Sequence, residues 1–376
     1  MKILIVTSLL APYRVEWFDE LGKKAKVTIL YTKEKDIGRE DSWVANTSKY
    51  CDLIKIRGIN FKNHEICLNV ITYLKDVSKY DIILFDGYGL ITNLIGICYM
   101  KFKKRKYFVN VDGGIKKDKE NCVKKALKRF ALGKAYVLCS SESAMKYVVT
   151  YGACATKCYI HPFSSLHETD LLDSIPTIQK KIEKKHNLNI HELLIIISVG
   201  QFIYRKGYDL LLKACKDINK NVGVYIVGGV PTEEYLRMKE EMKLLNVHFE
   251  GFKTKEELAE YYIAADLFVL PTREDIWGLV INEAMAFGLP VITTDRCIAG
   301  LELIKDYENG FIVPVERADI LAKRIEEVLS DEQLAIRMGK ANLKKIRPYT
   351  IENMARQHIN IFKKILILEE RKCRTA

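Results

Sequence analysis

Proline is sparse, at 8 of 376 residues, and long apolar runs are missing altogether. The longest stretch without a charge, Gly87 to Met100, is 14 residues, short of the roughly 20 that a membrane-spanning helix needs. No segment is therefore expected to cross a bilayer. The opening MKILIVTSLLAPYR carries one early lysine and a short apolar run that ends at Pro12. It lacks the small-residue cleavage site of a secretory signal and reads as a first buried strand. Ten cysteines are scattered without a repeating spacing, which suits reduced thiols in a cytoplasmic chain. Cys154 and Cys158, the closest pair, have no histidine cluster beside them, and the seven histidines form no ligand pattern, so no zinc site is expected. Equally absent are an Asp-x-Asp pair in a setting that would hold a divalent cation, an internal repeat and a low-complexity tract.

What is present is enough apolar content for two cores, 48% of 376 residues. Strand and helix patterns alternate in both halves, which predicts parallel sheets covered on both faces. Strands are expected at Lys2 to Thr7, Val27 to Tyr31, Asp81 to Phe85, Tyr107 to Val111 and Ala135 to Cys139. The alternation lapses around Pro162 to Lys185 and restarts at Leu193 to Val199. Later strands are expected at Gly223 to Val227, Val247 to Glu250, Leu267 to Leu270, Val291 to Thr294 and Gly310 to Val313. The expected domains are 1–163 and 164–350, with a last helix at 351–376.

Positive charge is concentrated in the first half. Met1 to Leu166 holds 29 Lys plus Arg against 16 Asp plus Glu, while the remainder holds 31 against 32. Lys101 to Lys134 alone has 13 basic and 3 acidic residues. On a helix there, Val123, Ala126, Leu127 and Phe130 share one face and Lys124, Lys125, Lys128 and Arg129 flank it. Such a helix suits an anionic lipid surface; a helix packing its apolar stripe on its own sheet has the same pattern. No nucleic-acid motif accompanies the charge, so a nucleic-acid partner is not expected.

Two segments carry chemistry. In Arg273 to Thr293, REDIWGLVINEAMAFGLPVIT, the carboxylates Glu274 and Asp275 precede Gly278, a helix from Leu279 to Phe287, and a strand. A helix that starts after a tight glycine turn points free N–H groups of residues such as Leu279 and Val280 at an anion. Glu283 stands one turn further in, within reach of hydroxyls beside that anion. In Ser198 to Ala214, SVGQFIYRKGYDLLLKA, a strand ends at Gly200, and Arg205, Lys206 and Gly207 precede a helix. Two cations at the carboxyl end of a parallel strand make a diphosphate clamp. In the first half, FVNVDGG puts Asp112 at a strand end, to bind a sugar, to orient a hydroxyl or merely to form an Asp-Gly-Gly turn. The first loop offers Tyr13 and Arg14 at a helix start, for an acceptor phosphate or sugar, with Pro12 opening the helix.

The segment NEAMAFGLPVIT resembles the signature of the family-4 retaining glycosyltransferases of GT-B fold. That signature is a Glu, seven residues, a second Glu, then Ala and a Gly-Leu-Pro-Val-Ile strand entry. Glu283 matches the second acid; counting back lands on Asp275, with Glu274 one position earlier. The resemblance covers most of the second half and fits the first half more loosely. It implies an α/β protein of two Rossmann-like domains facing a central cleft, with the last helix crossing back onto the first. The family's loop has an Arg after the first Gly and a Lys before the next; Lys206 fits the second, Gln201 replaces the first, and Arg205 stands beside to supply the charge. By resemblance Glu283 holds the ribose hydroxyls, and Asp275 or Glu274 faces the donor sugar. Gly200, Gln201, Phe252, Trp277, Gly278, Leu279 and Val280 complete the donor-binding set. In many relatives a His occupies the position of Asp112, near the reacting sugar.

The expected activity is transfer of a hexose or N-acetylhexosamine from a nucleoside diphosphate sugar, UDP-linked by preference and GDP-mannose otherwise. The acceptor would be a glycan or lipid-linked intermediate of a bacterial capsule, lipopolysaccharide or cell-wall polymer. No cofactor or metal is expected, with Arg205, Lys206 and the α-helix amides stabilising the leaving diphosphate instead. Cytoplasmic location, on or off the inner membrane face, goes with this reading. The alternatives are a nucleotide-sugar epimerase of the same fold and a noncatalytic sugar-nucleotide-binding partner.

Overall fold

The computed structural model describes residues 1–375 except 34–44, 46, 62–63, 77–78, 117–119, 217 and 219–220. It divides into two compact units, Met1–Ser165 with Tyr349–Ala376, and Leu166–Pro348.

The first unit begins β1 (Lys2–Leu9), α1 (Pro12–Gly22), β2 (Lys26–Lys33), β3 (Cys51–Lys55), β4 (Ile59–Phe61) and β5 (His64–Ile66). It continues α2 (Val70–Lys75), β6 (Ile82–Asp86), α3 (Ile91–Phe102), β7 (Phe108–Val111), α4 (Cys122–Leu132), β8 (Tyr136–Cys139), α5 (Glu142–Thr150) and β9 (Cys158–Ile160). Seven strands form one parallel sheet in the order β3-β2-β1-β6-β7-β8-β9. Ile3 to Val6 on β1 are wholly buried, the continuous apolar run of a strand covered on both faces. Strand order reverses between β1 and β6, and ligands of open α/β sheets bind outside the carboxyl ends at such a reversal.

The second unit contains α6 (Ile178–Asn187), β10 (Leu194–Val199), α7 (Tyr208–Ala214), β11 (Val222–Val227), α8 (Glu233–Glu241), β12 (Val247–Glu250) and α9 (Lys255–Ala264). It ends with β13 (Leu267–Leu270), α10 (Leu279–Ala286), β14 (Val291–Thr294), α11 (Ile298–Leu303), β15 (Gly310–Val313), α12 (Ala318–Ser330) and α13 (Glu332–Ile346). Six parallel strands run β12-β11-β10-β13-β14-β15, reversing between β10 and β13. The final helix, α14 (Ile351–Thr375), belongs to the first unit and packs on α1. There Phe362 meets Phe108 edge-on at 5.1 Å and His358 lies 4.8 Å from Trp17.

The expected strands all form, within a residue or two at their ends. Four others, β3, β4, β5 and β9, carry no apolar run that announces them: β3 is a half-exposed edge strand and the rest are three residues long. The stretch around α4 departs from the own-sheet alternative, because Val123, Leu127 and Phe130 are 61%, 43% and 39% exposed. Its apolar stripe is not covered by the sheet; only Ala131 and Leu132 at its end are buried. Lys128 leaves the flanking row and turns inward, pairing with Glu120, donating to the Tyr147 hydroxyl at 2.7 Å and lying over the Tyr151 ring at 4.5 Å.

Candidate functional site

In the second unit the two motifs meet where strand order reverses. β10 runs into Gly200, a short turn carries Tyr204–Lys206, and Gly207 caps α7 with φ +71. A side chain at Gly207 would strike the Pro271 carbonyl, 2.1 Å from an added Cβ, so only glycine lets the basic turn pass so close to the end of β13. After β13, the Asp275 amide donates to Arg296 O at 2.9 Å and Asp275 O accepts from the Ile298 amide at 3.2 Å. That pinning fixes the acidic loop against the following strand and helix.

The result is a compact charge cluster. Lys206 Nζ donates to Asp275 Oδ2 at 2.7 Å, and Arg205 Nη1 lies 3.4 Å from the same oxygen and donates to Glu274 O at 2.7 Å. Lys206 and Asp275 side chains are 11% and 13% exposed. Of the two neighbouring acids, Asp275 is the one whose carboxylate meets the cations, while Glu274 meets Arg205 through its backbone carbonyl. Gly200 lies against Lys206, 2.9 Å from its Cε to an added Cβ. Two cations against one carboxylate leave this turn net positive, and Gly278 beyond it, with φ +101, opens α10 with neither a side-chain cap nor an acid in the first turn. Helix dipole and guanidinium-ammonium pair thus share one polarity, suited to an anion.

Glu283 is held on α10 by the hydroxyl of buried Tyr262, 3.0 Å from Oε2. Burial, reinforced by that carboxylate, raises the Tyr262 pKa well above its ordinary value, so it stays a donor. Gln201 is exposed and Phe252, just past the end of β12, is 43% exposed. Trp277 is otherwise: it is 3% exposed, and its indole N–H donates to Asn282 at 2.9 Å. It belongs to the packing under Gly278, beside the buried thiol of Cys297, rather than to the surface around the anion site.

In the first unit Asp112 and Arg14, the latter read for an acceptor phosphate or sugar, come together. The Arg14 guanidinium is buried between two carboxylates, pairing with Asp112 and lying 3.3 Å from Asp86. Thr7 donates to Asp86 at 2.9 Å, and the Asn110 amide donates to Asp86 and Asp112 at 3.2 and 3.3 Å. Asp86, Asn110 and Thr7 escaped the sequence reading because nothing in their local spacing marks them; parallel pairing of β1, β6 and β7 brings them together. Burial raises the Asp112 pKa to about 6, opposed by Arg14 and assisted by Asp86.

The fold can now be stated. The chain has the GT-B fold, two parallel-sheet α/β units, and resembles along nearly its whole length a solved protein of Anabaena crystallised with UDP. The TM-score is 0.77 at 16% identity, covering 97% of this chain and 100% of that one. Residues 179–345 match the family described as glycosyl transferases group 1, the group to which the NEAMAFGLPVIT segment pointed. A GDP-mannose-dependent alpha-(1-6)-phosphatidylinositol monomannoside mannosyltransferase of Mycobacterium tuberculosis is 29% identical over 54% of each chain. The capsular polysaccharide biosynthesis glycosyltransferase CapM of Staphylococcus aureus is 28% identical over 44% of each. The chain spans about half the length of the curated relatives it matches.

Proposed function

We propose that the chain is a retaining glycosyltransferase of polysaccharide biosynthesis, moving a hexose or N-acetylhexosamine from a nucleoside diphosphate sugar to a glycan or lipid-linked acceptor. One observation carries this reading: Arg205 and Lys206, locked by Asp275 at the β10/β13 reversal beside the uncapped start of α10. Breaking the anomeric C–O bond puts negative charge on the leaving diphosphate, and preorganised positive groups stabilise charge that grows in the transition state. Arg205, Lys206 and the amides of Leu279 and Val280 take that role, in place of a divalent metal. Asp275 or Glu274 beside it faces the donor sugar; Glu283, fixed by Tyr262, takes the ribose hydroxyls. Gly200, Gln201 and Phe252 border the nucleotide.

UDP-sugars are the preferred donors, a choice supported by the Anabaena neighbour solved with UDP; the GDP-mannose dependence named for the mycobacterial relative makes that donor the second to test. Front-face attack by the acceptor accounts for retention without a protein nucleophile. The uncovered stripe of α4, with Lys124, Lys125 and Arg129 around it, supports residence on the cytoplasmic face of an anionic membrane. Among the described residues no helix is long and apolar enough to cross one.

The test is to incubate the protein with UDP-glucose, UDP-galactose, UDP-N-acetylglucosamine and GDP-mannose, and to measure free nucleotide with and without EDTA. Release from one donor, unaffected by EDTA, is expected. Interconversion of sugars without release would identify an epimerase; tight binding with no turnover of any donor would identify a noncatalytic partner.

A further inference from the structure

The basic turn of the second unit is itself held by a side chain that carries no part of the clamp. Arg273, in the loop after β13, commits its guanidinium to three other segments. Nη1 donates to the Tyr204 carbonyl at 2.9 Å and to Asp209 Oδ1 at 2.7 Å, and Nη2 donates to Asp209 Oδ2 at 2.8 Å. Nε and Nη2 also donate to the carboxylate of Glu316, in the loop between β15 and α12. The guanidinium lies over the Tyr204 ring, 4.0 Å from its centre. All five of its N–H groups are thereby engaged, which leaves none for a ligand.

These bonds fix the turn that carries Arg205 and Lys206. Tyr204 O accepts from the Arg273 side chain, and Arg205 O accepts from the Arg273 amide at 2.8 Å and the Thr272 hydroxyl at 2.9 Å. Asp209, in the first turn of α7, follows Lys206 by three residues, and its side chain is 15% exposed. Burial alone would raise its pKa, but hydrogen bonding and charge from Arg273 hold it below the ordinary value, so it is a fixed anion. Left unmatched, that anion would compete with an incoming diphosphate for the two cations of the turn. Lys213, half-exposed and 3.6 Å away, is a weaker partner for it than the two-pronged fork of Arg273.

We propose that Arg273 is the positioning residue of the diphosphate clamp: its fork holds the backbone of the Tyr204–Lys206 turn and neutralises Asp209, so that Arg205 and Lys206 stay aimed at a nucleoside diphosphate. The inference rests on the reading of this turn as a diphosphate site, and it gives Arg273 no contact with the ligand. The fork rather than the charge is what matters, because an ammonium is a point charge that cannot hold Tyr204 O and both Asp209 oxygens in one plane. Loss of Arg273 therefore acts through the cations it positions, and its effect shrinks when one of them is gone. A side chain that merely supported the fold would weaken binding by the same factor with or without Lys206.

The experiment is calorimetric titration with UDP and with GDP. Wild type, Arg273→Ala, Arg273→Lys and Lys206→Ala are compared with the double variants that combine each Arg273 change with Lys206→Ala, after circular dichroism has verified folding. For the nucleotide that binds more tightly, Arg273→Ala is expected to lose about 10-fold or more in affinity, equivalent to one charged hydrogen bond to the diphosphate. Arg273→Lys is expected to lose nearly as much. In the Lys206→Ala background either change is expected to cost about 3-fold or less, since coupled residues are not additive. If Arg273→Ala does not fold, Arg273→Lys in the same two backgrounds carries the comparison. Equal losses in both backgrounds, full affinity in Arg273→Ala or Arg273→Lys, or no binding of either nucleotide to the wild type overturns the proposal. Donor turnover measured on the same preparations separates the two readings. Turnover by the wild type with equal losses sinks the Arg273 role alone; coupled losses in a protein that turns over no donor sink the glycosyltransferase assignment alone.

Discussion

At the scale of residues, the account turns on Lys206. Its ammonium is held at 2.7 Å by Asp275, so it is positioned before any ligand arrives. Lys206→Ala is expected to lower donor turnover by about 100-fold or more, as removal of one preorganised donor does, and steady-state kinetics with the accepted donor checks this. An unchanged rate removes Lys206 from the mechanism. Tyr262→Phe deletes the hydroxyl that holds Glu283; a rise in KM with little change in kcat is expected if Glu283 takes the proposed role in donor binding. That Lys206 and Asp275 stand together was legible in the sequence because each lies at a fixed offset from a glycine turn. Trp277 was misread: it adjoins Gly278 in sequence, but the turn there sends its ring inward to Asn282. The Asp86–Arg14–Asp112 network was legible only in part, since Arg14 on α1 and Asp112 beyond β7 stand 98 positions apart in sequence.

Among the elements, α10 depends most sharply on a single position. Gly278 has φ +101, and an added Cβ would lie 2.8 Å from Cys297 Sγ. Gly278→Ala is expected to destabilise the protein by about 1–3 kcal/mol, the cost of a strained non-glycine conformation, and to weaken nucleotide binding as the start of α10 shifts. Urea unfolding and UDP titration measure the two effects; a wild-type midpoint together with wild-type affinity would show that the turn tolerates a side chain. The buried strands were legible because parallel strands covered on both faces are continuous apolar runs, as in Ile3 to Val6 and Ile195 to Ile197. Edge strand β3 was not, because its residues are half-exposed and lack that run. For α4 the 3.6-residue periodicity identified the helix and its amphipathic faces, but periodicity cannot say what covers an apolar face. The structure answers for the sheet: Val123, Leu127 and Phe130 remain exposed.

For the molecule as a whole, charge and exposed apolar surface in the first unit predict behaviour that the second unit does not share. Wild-type protein is expected to cosediment with phosphatidylserine vesicles at low salt and to be released at high salt, since attraction between exposed charges is screened. A variant with Lys124, Lys125 and Arg129 changed to Gln is expected to stay in the supernatant. Lys128 is left out because its ammonium is engaged with Glu120 and Tyr147. Equal sedimentation of both proteins would end the membrane reading while leaving the donor site intact. The most direct test of the central claim is a crystal of the protein soaked with UDP and, separately, with GDP. The account predicts diphosphate density against Lys206 and Arg205 at the start of α10; well-defined nucleotide density anywhere else on the protein would contradict it.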